Sequence, residues 1–200
     1  RMLRKNLFQK FKLMNFLKKY KNKKNIRYDS FLFALNLAYE RKHKTIVETG
    51  TARGKKKLLF FNKFNWTDGM STLIFSDYAM HVGGKLHSCD ISSENIKNAK
   101  QFTSKFSNYV NFYIQDSISF LQNLNFKIDF LYLDSLDASN QILASEHQLA
   151  EAKSSLTKLN ENALILLDDK GGKTNLSHDF LINNNFKLIN ESKNQLLFTS

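Results

Sequence analysis

Thr45-Ile46-Val47-Glu48-Thr49-Gly50-Thr51-Ala52-Arg53-Gly54 decides how the rest of the chain reads. An apolar strand ends on a carboxylate and turns through two glycines four residues apart. Glycine lets a backbone take positive φ and approach a charged ligand closely, while the acid stands ready to accept hydrogen bonds. Such a loop is also an ordinary structural turn, so its weight comes from the pattern downstream.

Four further apolar runs end on acids: Lys85 to Asp90, Val110 to Asp116, Ile128 to Asp134, and Ala163 to Asp168-Asp169. Helical stretches separate them, which predicts βαβ units, a parallel sheet and a ligand outside the carboxyl ends of the strands. The acids then line one sheet edge. An uncompensated row of carboxylates is costly, so donors or positive charge are expected beside it.

Two further segments, Phe186 to Asn190 and Gln195 to Thr199, flank a turn and predict a closing antiparallel hairpin. The expected fold class is therefore α/β, a Rossmann-like three-layer sandwich with a mostly parallel seven-stranded sheet ending in that hairpin. Helices are expected at 29–40, capped by Asp29 or Ser30, from about 70 to 81, from Ser92 or Ser93 to about 106, at 117–124, at 141–159 and at 174–184.

Length and composition agree with one domain. The chain has 200 residues, 18 Phe and no proline, enough to bury a large core. A single cysteine, Cys89, rules out an internal disulfide and suits a reducing, cytoplasmic setting. No apolar run approaches the ~18 residues that span a bilayer, and the amino terminus lacks the apolar segment of a secretory signal.

Charge is uneven. Residues 1–66 hold 19 Lys and Arg against 3 acids, whereas residues 67–200 hold 11 against 15. Residues 1–28 form the first of two units, a basic amphipathic helix with Leu3, Leu7, Phe11, Met14 and Leu17 at helical spacing. Residues 29–200 form the single main domain. The basic helix can pack on that domain, pack on a second subunit as a homodimer, or let residues 1–25 meet nucleic acid or another anionic surface. Lys55 to Asp68 is a basic, aromatic insertion. Residues 55–70, with Phe60, Phe61, Phe64 and Trp66, are a candidate mobile lid or a surface insertion packed on the core.

The five motifs together, ETGTARG, GMSTLIF, LHSCDIS, FLYLDSLD and ILLDDK, resemble class I S-adenosylmethionine-dependent methyltransferases over roughly residues 29–200. Within that class they look like small methyltransferases related to the metal-assisted O-methyltransferases. The resemblance implies that Glu48, Gly50, Thr51 and Gly54 back the methionine moiety, where the family usually has a glycine at Ala52. It implies that Asp90, with Ile91 beside it, binds the ribose hydroxyls, since a carboxylate accepts from two vicinal hydroxyls at once. Asp116 and Ser117 fall at the adenine position, and Ser71 with Thr72 at a helix N-terminus suits the cofactor carboxylate. A nicotinamide enzyme fits worse, because G-x-G-x-x-G is missing and Asp90 lies 36 residues beyond Gly54.

Asp134, Asp168 and Asp169 fall on adjacent strand ends, an oxygen-rich set suited to Mg²⁺ or another divalent cation that would lower a hydroxyl pKa. Lys170 beside the pair offers an ammonium in its place, and the acids can equally cap loops or bind substrate. Asp134 is then a catalytic candidate. His147 is either a solvated helical histidine or a general base. Asp137 reads as a loop cap. The expected activity is O-methylation of a small hydroxylated acceptor. The alternatives are a nucleic-acid or protein methyltransferase using the basic amino terminus, and a non-catalytic binding protein on the same fold.

Overall fold

A computed structural model describes residues 16–58 and 61–200. Most of the expected amino-terminal helix, and Phe60 of the insertion, lie outside the described residues. The elements run α1 (Tyr28–Glu40), β1 (Thr45–Thr49), β2 (Lys55–Leu58), β3 (Phe61–Phe64), α2 (Ser71–Val82), β4 (Lys85–Asp90), α3 (Ser93–Phe102) and β5 (Val110–Ile114). They continue with α4 (Ser117–Gln122), β6 (Ile128–Leu133), α5 (Gln141–Ser155), β7 (Leu159–Asp168), α6 (Asn175–Asn183), β8 (Lys187–Glu191) and β9 (Gln195–Thr199).

Seven strands form one sheet in the order β5-β4-β1-β6-β7-β9-β8. β1 pairs in parallel with both β4 and β6, and β9 runs antiparallel between β7 and β8. The chain winds outward from β1 through β4 to β5, then returns to build β6 and β7 on the other side. That reversal beside β1 is a topological switch point, where open α/β sheets take their ligands.

Successive strand residues face opposite sides of the sheet, and here both sides are dry. Ile46, Leu86, Phe130, Leu164 and Leu166 meet Phe31 and Leu35 of α1, Phe75 and Tyr78 of α2 and Ala99 of α3. Their neighbours Val47, Leu131, Ile165 and Leu167 meet Phe120 of α4, Ala152 of α5 and Leu181 of α6. This alternation makes three layers. At the opposite strand ends, Asp129 accepts the backbone N–H groups of Lys44 and Thr45 at 2.8 and 2.9 Å and pins the start of β1.

Three local expectations change. α1 starts at Tyr28 with Arg27 at its cap and no side-chain cap, because the Ser30 hydroxyl is committed to Arg27 O and Gln195. The insertion is an antiparallel hairpin, β2 with β3, followed by a short 3-10 turn at Trp66–Asp68. β7 begins at Leu159, earlier than its apolar run, since Ile128 of β6 pairs with Leu159 across a register shift.

Candidate functional site

The Gly50 loop leaves β1 at the carboxyl edge. Gly50 has φ +81°, and a Cβ there would lie 2.1 Å from the Asp134 carbonyl oxygen. The glycine is needed because the loop runs against the backbone leaving β6. Gly54, at φ +77°, would likewise drive a Cβ into the Phe102 ring at 2.0 Å.

Every loop N–H from Gly50 to Arg53 has a protein acceptor. Gly50 N donates to Cys89 O, and Thr51 N to Asp90 Oδ2 at 3.0 Å. Ala52 N donates to Thr72 Oγ1 at 2.8 Å, and Arg53 N to Asp68 Oδ2 at 3.0 Å. The loop therefore offers no cradle of free N–H groups for a phosphate. Its rim is acidic instead. Asp137 forms an ion pair with Arg53 and so ties the β6–α5 loop to the glycine loop.

Glu48 is fully buried and accepts from three hydroxyls: Ser71 Oγ at 2.5 Å, Thr72 Oγ1 at 2.8 Å and Ser88 Oγ at 2.6 Å. Burial pushes its pKa up to about 7 against the pull of those hydrogen bonds. Ser71 and Thr72 thus spend their hydroxyls on Glu48, beneath the loop.

Asp90, half-buried at the end of β4, accepts from Ser92 N at 2.7 Å, Thr51 N at 3.0 Å and Asn95 Nδ2 at 3.1 Å. A carboxylate has about four acceptor positions, so one remains. Ile91 beside it is 77% exposed, an apolar surface at the carboxyl edge of the sheet. Asp116 caps α4 through Ser119 N at 2.9 Å. Ser117 Oγ meets His147 Nε2 at 3.0 Å, and the buried carboxylate of Glu151, 3.7 Å from the same nitrogen, raises the His147 pKa. His147 thus stands with Ser117, and Asp134 stands with a different set of partners.

That set is an ion cluster built around buried Asp168 and Lys173. Asp134, Asp168 and Asp169 bring one carboxylate oxygen each within 4.8 Å of one another. Arg27 Nε lies 2.8 Å from both oxygens of Asp168, its Nη2 2.6 Å from Asp168 Oδ2 and 3.1 Å from Asp169 Oδ1. Lys173 Nζ reaches Asp134 Oδ1 at 3.1 Å and Asp169 Oδ2 at 3.2 Å. Gln195 Nε2 donates to Asp168 Oδ1 at 2.9 Å, and Tyr132 OH to Asp134 Oδ2 at 3.2 Å. Burial and then Asp168 push the Asp134 pKa well above the carboxylate range, while Lys173 and Arg27 oppose them. Burial draws the Lys173 pKa down, and the charges of Asp134 and Asp169 outweigh it and raise it.

Lys170, the expected cation, points elsewhere and pairs with Glu191. Asp169 at φ +57° and the turn joining Gly171 to Thr174 bring Lys173 back instead. The signal for Lys173 was its i,i+4 spacing from Asp169 across Gly171-Gly172. Arg27, 141 residues from Asp168 in sequence, carried none.

A family model described as a methyltransferase domain matches residues 66–170. The chain belongs to this methyltransferase-domain family. Solved structures agree in fold. A Podospora anserina methyltransferase with S-adenosylhomocysteine bound superposes with a TM-score of 0.63 at 13% identity, over 93% of this chain and 86% of that one. The N-methyltransferase NodS from Bradyrhizobium japonicum gives 0.59 at 11% identity, over 88% and 96%. A Geobacter sulfurreducens methyltransferase gives 0.56 at 15% identity, over 84% and 75%. No curated protein matches the chain.

This methyltransferase domain suits a sulfonium cofactor better than a divalent ion. The acidic rim matches a positively charged ligand with hydroxyls, and exposed Ile91 offers apolar surface to a base. By contrast, every carboxylate oxygen of the Asp134, Asp168 and Asp169 cluster already accepts from a protein donor, with two of the donors cationic. Mg²⁺ demands near-octahedral oxygen coordination, and this donor set does not fit it.

Proposed function

We propose that this chain transfers a methyl group from S-adenosylmethionine to a hydroxyl of a small acceptor. Asp134 carries the reading: a partly exposed carboxylate at the end of β6, beside the Gly50 loop, with a pKa raised by burial. A raised carboxylate is a stronger base near neutral pH than an ordinary one.

S-adenosylmethionine supplies the electrophilic methyl on a cationic sulfur. The chain's residues do the rest. Asp90 would receive a ribose hydroxyl at its remaining acceptor position. Ile91 would offer apolar surface to the base and Asp116 and Ser117 would meet its edge, with His147 holding Ser117. Glu48 fixes the loop and α2 from below through Ser71, Thr72 and Ser88. Thr51, Gly50 and Gly54 set the path of the loop against the methionine end. Asp134 takes the acceptor proton as the hydroxyl oxygen attacks in line, and alignment supplies most of the rate.

The main domain over 29–200, the cytoplasmic setting and the buried thiol of Cys89 belong to the same reading. Among the described residues, no helix is long and apolar enough to cross a membrane. The test is transfer of labelled methyl from the cofactor to a panel of hydroxylated acceptors. Asp134→Asn should abolish turnover while S-adenosylhomocysteine affinity changes less than about threefold. Equal turnover in wild type and variant would remove Asp134 from the chemistry.

A second reading has its own observation. Leu17 and Tyr20 are buried on the main domain, while Lys18, Lys21, Lys23 and Lys24 of the same segment are exposed. A basic segment held this way can guide an anionic polymer to the site, for methylation of nucleic acid. Oligonucleotide affinity that falls steeply with salt would favour it.

A further inference from the structure

We infer that Arg27 and Lys173 stand in for a divalent cation, so that the site is built to work without metal. The inference takes its meaning from the methyl-transfer reading above but rests on its own geometry. Asp134 and Asp169, both partly exposed, hold an ammonium whose residue is 2% exposed, and buried Asp168 brings an oxygen within 4.8 Å of theirs. The guanidinium of Arg27 closes the cluster from the side of α1, paired with Asp168 and bridging to Asp169. Three carboxylates thus meet two built-in positive charges.

A divalent ion at this place would have to displace the ammonium from Asp134 and Asp169, or share their oxygens with it at close range. Displacement leaves a buried lysine without its counter-ions. Sharing sets like charges side by side. Neither is compatible with the hydrogen bonds that Tyr132 and Gln195 also direct at the same carboxylates.

Lys173 is buried beneath the crevice surface, so it acts through Asp134 and Asp169 and is a positioning residue. Its ammonium holds Asp134 with one oxygen inward and keeps that carboxylate ionisable next to Asp168. In a metal-assisted enzyme, a divalent ion would polarise the acceptor oxygen itself. Here the acceptor hydroxyl meets a carboxylate base whose field is set by protein cations. The expected substrate is therefore a hydroxyl acceptor that need not chelate, with no requirement for a vicinal oxygen pair.

The test is calorimetric titration of the full chain with Mn²⁺ and Mg²⁺, with Mn²⁺ paramagnetic resonance as a second readout. Wild type should show no saturable binding at the cluster, and EDTA should alter S-adenosylhomocysteine affinity less than about twofold. Lys173→Met, which removes the ammonium and leaves the three acids, should bind Mn²⁺ at least about tenfold more tightly than wild type. If that variant does not fold, the wild-type titration with Asp134→Asn decides alone. Saturable wild-type binding lost in Asp134→Asn would overturn the inference. Binding that persists in Asp134→Asn lies elsewhere and supports it. Absence of S-adenosylhomocysteine binding, with or without EDTA, would instead sink the methyltransferase reading, while the metal titration would still decide whether the cluster excludes divalent ions.

Discussion

Gly50 and Glu48 show how single residues set the carboxyl edge. Gly50→Ala must hold a left-handed φ of +81° while its Cβ presses on the Asp134 carbonyl. The conformation costs about 1–2 kcal/mol, and overpacking against backbone adds about 1–3 kcal/mol. Denaturant unfolding should report a loss of that combined order. Glu48 makes a pH prediction. Its pKa rises from 4.5 unfolded to about 7 folded, so the folded state binds the proton more tightly. The corresponding stability is fully present below the unfolded pKa and is lost as pH rises through about 7. The change is on the order of 3 kcal/mol between those limits. Glu48→Gln should flatten that part of the stability profile, and an unchanged slope would contradict the assignment.

At the scale of elements, the segment before α1 ties the sheet edge to the hairpin base. Arg27 binds Asp168 and Asp169 and donates to Thr67 O at 3.2 Å, while Asn25 Nδ2 donates to Gly69 O at 3.2 Å. Arg27→Ala leaves Asp168 buried without its cation and should destabilise by about 3–5 kcal/mol, measured by thermal or denaturant unfolding. A loss under about 1 kcal/mol, the range of surface pairs, would show that the cluster is solvated. Helix caps are smaller levers. Ser92 Oγ accepts from Asn95 N at the start of α3, and Ser92→Ala should cost about 1 kcal/mol.

The elements were largely legible because apolar runs ending in acids fix strand type and direction locally. What escaped was non-local or out of pattern. The β2–β3 hairpin carries Lys55, Lys56 and Lys57 where strands are usually apolar. α1 begins at Tyr28 behind Arg27, whose guanidinium is anchored across the fold. For the cluster, the excess of acids demanded positive charge, but local adjacency favoured Lys170. The turn through Gly171 instead delivered Lys173. His147 looked like a lone helical histidine, and only the packing of α5 on α4 placed it at Ser117.

For the whole molecule, alternating strand residues feed two dry cores, and the reversal beside β1 leaves the strand-end acids along one sheet edge, with Glu48 and Asp168 buried and Asp90 and Asp134 partly exposed. Topology was readable because order along the chain prescribes it: helices between strands, then a hairpin. The acceptor was not, because fold does not encode the partner of a site. The methyl-donor cofactor is expected to bind at this carboxyl edge. Calorimetric titration of the full chain with S-adenosylhomocysteine tests it most directly. We expect one saturable site with micromolar affinity, at least about tenfold weaker in Asp90→Asn, and thermal stabilisation of about 2.7 kcal/mol at roughly a hundredfold excess over Kd. No saturable binding, or full affinity in Asp90→Asn, would contradict it.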